Sequence, residues 1–201
     1  MTEALLLVDI QTDFCPGGAL AVPDGDAVVS EANRLMRQFD HVLLTQDWHP
    51  PGHASFASQH GGKAPFETIA LAYGEQTLWP DHCVQGTAGA AFHPDLNLTR
   101  AEMVIRKGFR PAIDSYSAFF ENDRTTPTGL AGYLRERDIT DLVMVGLAYD
   151  FCVQYSALDA SRLGFTVTVV QSACRAINLD GSAATATEAM RAAGVRLTET
   201  L

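Results

Sequence analysis

Apolar residues occur in short runs that alternate with longer amphipathic segments. Six runs rich in Val, Leu and Ile have the length and composition of buried parallel strands. The apolar positions between several of these runs recur at a spacing near that of a helix with one buried face. The predicted strands are Ala4–Val8, His41–Thr45, Glu102–Arg106, Asp141–Val145, Phe165–Val170 and Val195–Thr198.

Four helices are predicted from the amphipathic segments. The first begins at Asp24 and ends near Gln38, and the second covers Thr128–Arg137. The third, Asp150–Leu163, and the fourth, Ser182–Ala193, are each followed by a glycine, which commonly ends a helix. Because strands and helices alternate, the pattern predicts an α/β fold with an open, mostly parallel six-stranded sheet. Helices on both faces would make it a Rossmann-like, three-layer single domain.

The stretch from about 48 to 101 interrupts this alternation. It is rich in Gly, Pro and His and has little periodicity. A loop-rich stretch of this length is usually either functional or disordered. Three large aromatic residues, Phe56, Phe66 and Trp79, argue against disorder. We therefore expect a functional, metal-binding insertion within a single domain covering residues 1–201.

Composition and charge limit the classes of function. The chain has 201 residues, of which 47% are apolar, so it can bury a core. Its net charge of -10 argues against nucleic acid and against an anionic membrane surface as partners. The apolar run Ala4–Val8 is too short for a signal core or a membrane span. We expect a cytoplasmic protein with four free thiols, namely Cys15, Cys83, Cys152 and Cys174.

Chemically active residues follow the predicted strands. Asp9 follows the first strand, Asp47 and His49 follow the second, and Lys107 follows the third. The segment after the fourth strand leads to Cys152. Ligands of open α/β sheets bind beyond the carboxyl ends of the strands. The sequence therefore predicts that these groups converge at one edge of the sheet.

Cys152 lies where the fourth strand passes into the third helix. With Asp150 as the expected N-cap, Cys152 falls in the first turn, where the helix dipole lowers the pKa of a thiol. Backbone N–H groups of such a turn can hold an oxyanion. A cysteine at this position can equally be a core residue, and Asp150 opposes a thiolate. The thiol therefore needs a base.

Asp9 is the candidate base. A carboxylate at the end of a buried strand is costly unless it is paired, and Lys107 is the natural partner. In a Cys–Asp–Lys cluster, Asp9 could accept the proton of Cys152 and later protonate a leaving amine. Without the cysteine, Asp9 and Lys107 would be a structural ion pair.

Asp47 and His49 form a candidate metal site. Alternate side chains of an extended segment share a face, so these two can meet one ion. His82 is the candidate for a third ligand, and His53 is the alternative. Two imidazoles and a carboxylate suit zinc, iron or manganese, with positions left open for water or substrate.

Together these segments resemble the nicotinamidase (pyrazinamidase) family of the isochorismatase-like cysteine hydrolases. The D-W-H-P-x-x-H-x-S-F and W-P-D-H-C segments point to nicotinamidases in particular. The segments Leu7–Leu20 and Gly146–Val153 occur across the superfamily. The matching segments follow the order of the family and cover most of the chain. They are Leu7–Leu20, Gln46–Phe56, Trp79–Val84, Lys107–Gly108, Asp114–Phe119 and Gly146–Val153.

The resemblance implies a catalytic triad and a metal site. Asp9, Lys107 and Cys152 match the triad of the family. The metal ligands of the family hold one divalent ion, and we expect zinc here, with iron and manganese as alternatives. Three residues match these ligands, and the position of His53 varies between members. The three matching residues are Asp47, His49 and His82.

The resemblance also implies an oxyanion hole and a substrate pocket. Leu147-Ala148 matches a non-proline cis peptide, which would join the Ala148 N–H to the Cys152 N–H in the hole. Three aromatic residues match the walls around a pyridine ring. Phe151 is apolar where some members carry a polar residue, so it bears on substrate preference. The aromatic walls are Phe14, Trp79 and Tyr116.

The function that the resemblance implies is hydrolysis of nicotinamide to nicotinate and ammonia through a Cys152 thioester, with pyrazinamide as a further substrate. Alternatives are an amidase for carbamoyl or ureido substrates and a vinyl ether hydrolase, which the metal segment disfavours. A non-catalytic binding protein is disfavoured by the complete triad. Small α/β enzymes often form symmetric homo-oligomers, but no segment here marks an interface.

Overall fold

The computed structural model describes residues 2–201. Six strands form one sheet in the order β5-β2-β1-β6-β7-β8, and every neighbouring pair is parallel. The predicted parallel sheet is therefore confirmed, although β6 and β7 are longer than expected. These strands are β1 (Thr2–Val8), β2 (His41–Asp47), β5 (Met103–Lys107), β6 (Ile139–Leu147), β7 (Thr166–Arg175) and β8 (Arg196–Thr198).

Helices cover both faces of the sheet, as predicted. The helix α1 (Val28–Met36) packs into the core on one face. The other face is covered by α2 (Leu130–Arg135), α3 (Gln154–Arg162) and α4 (Ser182–Ala192). Alternate residues of β1 supply the two cores, and all are at most 1% exposed from residue 4 to residue 8. This burial on both faces explains why the run is continuously apolar.

The starts of two helices differ from the prediction. A 3-10 turn, Gly25–Ala27, precedes α1. A π-helical turn, Tyr149–Val153, precedes α3, and its N-cap position is Ala148, with no side-chain cap. The expectation that Asp150 caps this helix was therefore wrong.

The Asp150 carboxylate instead binds a distant loop. It is 2% exposed and accepts hydrogen bonds from the backbone N–H groups of Ile177 and Asn178, at 3.0 and 2.7 Å. The hydroxyl of Ser182 donates a third. Asp150 therefore joins the turn after β6 to the start of α4, because three tertiary donors satisfy a carboxylate better than one local cap.

The loop-rich stretch contains a hairpin that its sequence did not reveal. The strands β3 (Thr68–Leu71) and β4 (Gly74–Thr77) pair antiparallel and form a separate two-stranded sheet. Each strand has only four residues, and most are not buried, so they leave no apolar signal. The surrounding stretch is nevertheless packed, since Phe56, Leu78 and Trp79 are at most 3% exposed.

Among residues 2–201, no helix combines the length and the apolar character that a membrane span requires.

Candidate active site

The carboxyl edge of the sheet brings four predicted groups together. Asp9 directly follows β1, while Asp47 and Lys107 end their strands as register partners. Cys152 lies in the π-helical turn after β6. All four are at most 6% exposed. Their convergence follows from the parallel sheet, whose carboxyl ends meet at one edge.

Lys107 joins the groups at one end of this edge, which we call the thiol end (Asp9, Lys107 and Cys152). Its Nζ lies 2.9 Å from Asp9 Oδ2 and 3.4 Å from Cys152 Sγ. The same ammonium donates to the carbonyl oxygen of Ser115 at 2.9 Å. The hydroxyl of Thr45 donates to Asp9 Oδ1 at 2.6 Å and fixes the carboxylate from the other side. The thiol and the candidate base therefore share one buried cation.

The electrostatics of the thiol end favour a protonated thiol at rest. Burial raises the pKa of Cys152 well above its ordinary value, and Lys107 opposes this shift only in part. Burial also raises the pKa of Asp9, against the opposing charge of Lys107. Burial alone would lower the pKa of Lys107, but Asp47 and Asp9 outweigh it and raise that pKa well above its ordinary value. A neutral thiol beside a carboxylate and a fixed ammonium needs proton transfer before it can attack.

The turn that carries Cys152 is held by several backbone contacts. The peptide bond between Leu147 and Ala148 is cis. The carbonyl oxygen of Ala148 accepts from Val153 N at 3.1 Å, which closes a π-helical turn. The carbonyl oxygen of Cys152 accepts from the Ser156 hydroxyl at 2.6 Å. Ala148 and Cys152 both line the cavity, as the predicted oxyanion hole requires.

Glycine is required on the strand that leads into this turn. Gly146 has φ 120° and lies opposite Val8 in the register of β1 and β6. A Cβ at Gly146 would clash with the Val8 backbone. The close approach of the two central strands therefore excludes any other residue here.

A second group at this edge, which we call the metal end, contains Asp47, His49 and His82. The Asp47 Oδ2 atom lies 3.0 Å from His49 Nε2 and 3.3 Å from His82 Nε2. The Nδ1 atoms of the two imidazoles bind the carbonyl oxygens of Gly108 and Pro80, at 2.9 and 2.8 Å. Both Nε2 atoms are thus turned toward the carboxylate.

This donor set fits a divalent metal ion. Bonds of about 2.0–2.2 Å to nitrogen and oxygen place neighbouring ligand atoms roughly 2.9–3.5 Å apart. The distances from Asp47 Oδ2 to His49 and His82 agree with that spacing. Backbone carbonyls on the second ring nitrogens are the usual support of metal-binding histidines. Asp47 Oδ1 contacts Lys107 Nζ at 3.0 Å, so the ammonium touches both ends of the cavity.

His53 is placed differently from the other two histidines. Its Nδ1 pairs with the hydroxyl of Ser55 at 2.8 Å. Its Nε2 faces the carbonyl oxygens of Arg110 and Ile113, at 2.9 and 3.2 Å. Both ring nitrogens are thus bound to protein, and the His53 ring packs 4.4 Å from the His49 ring. This geometry fits a bracing residue, and His53 also forms a second group of possible ligand atoms with His49 and Asp114.

The cavity between the two ends has aromatic walls. All three predicted wall residues line this cavity. The indole Nε1 of Trp79 donates to the Tyr116 hydroxyl at 3.0 Å, and Phe14 lies 5.5 Å from the His82 ring. Phe151 also lines the cavity, with its ring 4.9 Å from Trp79 and nearly perpendicular to it. A single planar ring suits such a space.

Sequence reasoning missed three lining residues. Leu20 and Ile177 come from loops whose course no periodicity predicts. Asp114 lines the cavity, with its Oδ1 3.9 Å from His49 Nε2, in a segment that was noticed only for Tyr116. An acidic residue beside a predicted wall residue was the one available signal.

At one edge of the α/β sheet a carboxylate, an ammonium and a thiol lie in contact, which is the arrangement that a cysteine hydrolase requires. A family model described as "Isochorismatase domain" matches residues 3–200. The chain therefore belongs to the isochorismatase domain family.

Two curated relatives are similar over nearly the whole chain. The nicotinamidase of Acinetobacter baylyi is 54% identical over 193 residues, which are 96% of this chain and 90% of that protein. The nicotinamidase of Escherichia coli is 48% identical over 200 residues, covering 97% of this chain and 93% of that protein.

Solved structures agree with this similarity. The "Acinetobacter baumanii nicotinamidase pyrazinamidease" superposes with a TM-score of 0.97 at 54% identity, covering 98% of this chain and 96% of that one. An L. infantum protein in complex with nicotinate has a TM-score of 0.86 at 39% identity, covering 98% and 92%. The pyrazinamidase of Pyrococcus horikoshii in complex with zinc has a TM-score of 0.80 at 35% identity, covering 99% of each chain.

Proposed function

We propose that this chain is a nicotinamidase that hydrolyses the carboxamide of nicotinamide to nicotinate and ammonia, with Cys152 as the nucleophile. The observation that carries the proposal is the shared contact of Asp9 and Cys152 with Lys107 Nζ, at 2.9 and 3.4 Å, in a small aromatic cavity. The nicotinamidases among its relatives and the nicotinate complex of a structural neighbour support the substrate. The pyrazinamidases among the neighbours support pyrazinamide as a second substrate.

The substrate ring occupies the space between the aromatic walls, Phe14, Trp79 and Tyr116. Edge and face contacts with these rings favour a flat heterocycle and exclude water from the reacting end. The carboxamide points toward Cys152, and the ring nitrogen points toward the metal end. The cavity thus holds the carboxamide of the substrate in a fixed orientation toward Cys152 before the reaction begins.

Acyl transfer begins with the thiol proton. Asp9 takes the proton from Cys152, and the sulfur attacks the carboxamide carbon to form a tetrahedral adduct. The oxyanion lies on the backbone N–H groups of Ala148 and Cys152, where one such donor contributes a factor on the order of 10²–10³ in kcat. Lys107 stabilises the negative charge that develops on the sulfur before the new bond forms.

Breakdown of the adduct reverses the role of Asp9. The protonated carboxyl gives its proton to the leaving nitrogen, and ammonia departs as the C–N bond breaks. A water molecule, deprotonated by Asp9, then adds to the thioester carbon. Collapse of this second adduct breaks the C–S bond, releases nicotinate and returns the proton to Cys152.

Asp47, His49 and His82 would hold a divalent ion, and we propose zinc. When bound there, such an ion would supply Lewis acidity toward the ring nitrogen of the substrate. The zinc in the pyrazinamidase of Pyrococcus horikoshii and the two-imidazole, one-carboxylate donor set support this choice. We take residues 1–201 as one catalytic domain, in which the stretch from about 48 to 101 supplies His82 and Trp79.

Ammonia release from nicotinamide tests the proposal. The purified protein is assayed with nicotinamide and with pyrazinamide, before and after dialysis against a chelator, and again after zinc is restored. We expect release that falls on dialysis and returns with zinc. If the zinc-loaded protein releases no ammonia, nicotinamidase activity is rejected. The alternative is then an amidase that uses Cys152 on a carbamoyl or ureido substrate.

The thiols bear on the compartment. Cys15, Cys83, Cys152 and Cys174 are all free and buried. A nucleophilic thiol among unpaired cysteines suits a reducing compartment, so we place the enzyme in the cytoplasm.

A further inference from the structure

One buried carboxylate in the cavity has no role in the reaction described above. Asp114 lies on the loop that follows β5, is 2% exposed and lines the cavity together with Asp47 and His82. Its Oδ1 atom lies 3.9 Å from His49 Nε2. Asp114 is thus close to the metal end. It is not part of the ligand group formed by Asp47, His49 and His82, but it forms a second group of possible ligand atoms with His49 and His53.

Among the residues that the structure describes, Asp114 has no lysine or arginine partner, and His49 is the one group in ion-pair range that could carry a positive charge. Oδ1 accepts from the backbone N–H of Ser115 at 2.8 Å, and Oδ2 accepts from Gln76 Nε2 at 2.9 Å. A carboxylate offers about four acceptor positions, so roughly half remain free. Over residues 2–201, no Lys or Arg nitrogen lies within 4.0 Å of this carboxylate. A buried ionised carboxylate requires a compensating positive charge, which must come from elsewhere.

Gln76 holds the carboxylate in this position. The Gln76 amide is fixed by several partners, because its Oε1 accepts from Tyr73 and Asn122, at 3.0 and 3.2 Å. Its Nε2 is therefore directed to Asp114 and to the hydroxyl of Tyr116, each at 2.9 Å. The hairpin of β3 and β4 thus reaches the active site through one buried side chain, which prevents Asp114 from turning toward solvent.

A count of charges shows what Asp114 could balance. Asp9 and Asp47 are negative, Lys107 is positive, and a thiol and metal-binding imidazoles are neutral. This buried cluster has one net negative charge, and a divalent ion would convert it to one net positive charge. The carboxylate of Asp114 brings the sum to zero. Near-neutral clusters avoid the large cost of an unbalanced charge in a low-dielectric interior.

We propose that Asp114 is a positioning residue of the metal end, which balances the charge of the bound ion and accepts hydrogen bonds from solvent beside it. This inference rests on the proposed function, because it assumes that Asp47, His49 and His82 bind a divalent ion. Outer carboxylates of this kind change metal affinity by about 10–100-fold. Asp114 therefore acts through the ion and does not touch the reacting atoms.

Metal affinity is the quantity that tests the inference. The Kd for zinc is measured on the full chain by competition with a chromogenic chelator, for the parent protein and for Asp114→Asn. We expect the variant to bind zinc about 10–100-fold more weakly. Asp81→Asn is the matched control, since Asp81 directly precedes the ligand His82 in the chain but is exposed and bonded to Ser58. Its Kd should stay within about twofold of the parent, because solvent screens that charge.

A double variant separates this role from simple bracing. Asp114→Asn combined with Gln76→Glu exchanges the amide and the carboxylate of this pair. The side-chain amide at position 114 can then donate to the carboxylate at position 76, and the net charge is unchanged. The carboxylate, however, now lies on the hairpin. If Asp114 only braces the loop, this pair regains the parent Kd, and the inference is overturned. If the charge must lie beside the ion, Kd stays weak while the melting temperature of the metal-free protein recovers.

The outcomes distinguish this inference from the proposed function. Tight zinc binding by the parent and an equal Kd for Asp114→Asn overturn the role of Asp114 alone. Failure of the parent to bind zinc overturns both the metal site and the role of Asp114. Weaker binding by Asp114→Asn, with an unchanged control, supports the inference even if the substrate is not nicotinamide.

Discussion

The two ends of the cavity are built in different ways. At the thiol end, Asp9, Lys107 and Cys152 lie at strand ends or in the turn directly after a strand. At the metal end, only Asp47 belongs to a strand, while His82 comes from the loop-rich stretch. Strands fix the thiol end through the sheet, whereas the metal end depends on hydrogen bonds between loops. Reactive atoms thus lie on the more rigid framework, and substrate-orienting groups lie on the less rigid one.

The largest effect is expected from a substitution that removes the nucleophile from the thiol end. Cys152→Ala should lower kcat by a factor on the order of 10⁶, as loss of a covalent nucleophile does in other hydrolases. The metal end should remain intact, because none of its ligands contacts the sulfur. Ammonia release and zinc content measure the two ends separately. Turnover near the parent rate would reject Cys152 as the nucleophile.

Removal of the base should have the next largest effect. Asp9→Asn cannot accept the thiol proton, so kcat should fall by about 10²–10⁴, the usual contribution of a general base. KM for nicotinamide should change little, because Asp9 is not a wall of the cavity. Steady-state kinetics separates the two constants. Thr45→Val is the matched control. It removes the 2.6 Å hydrogen bond to Asp9 Oδ1 and the 3.1 Å bond from the Asp9 N–H, but it keeps the carboxylate and should cost far less in kcat.

Metal removal tests the other end through stability. At a zinc concentration of 100 times Kd, binding stabilises the folded protein by about 2.7 kcal/mol. For a chain of this size, that corresponds to a rise in melting temperature of roughly 5–11 °C. Cys152→Ala should keep the full rise, whereas His82→Ala should lose most of it. An equal rise in both variants would place the ion elsewhere.

The smallest expected effect concerns the link between the nucleophile turn and its loop. Asp150→Asn removes the charge from an acceptor of three hydrogen bonds, at a cost of about 1–3 kcal/mol in the free energy of unfolding. Since Ile177 lines the cavity, KM should also rise. Thermal unfolding and kinetics measure both changes. Ser182→Ala, which removes a single donor, should leave KM near the parent value; equal effects in the two variants would contradict the link.

The difference between the two ends also decided what could be predicted from sequence. The strand runs are visible as apolar residues, so the groups that follow them, such as Asp9 and Cys152, could be placed at one edge. Asp114 and Gln76 could not, because their positions depend on a hairpin without an apolar signal. Asp150 was misread as a helix cap, because its actual partners lie 27–32 residues further along the chain. Local rules predict local partners, and long-range hydrogen bonds override them.

Lys107 has fewer hydrogen-bond donors than the acceptors around it. Its ammonium has three N–H bonds, yet four acceptors surround it: Asp9, Asp47, the Ser115 carbonyl and the Cys152 sulfur, at 2.9–3.4 Å. In the free enzyme one of the four acceptors therefore always lacks a hydrogen bond from Lys107. Once the sulfur carries an acyl group it becomes a poor acceptor, and three donors then meet three oxygens. From the first adduct until the C–S bond breaks, every hydrogen of this lysine can therefore have an oxygen of its own.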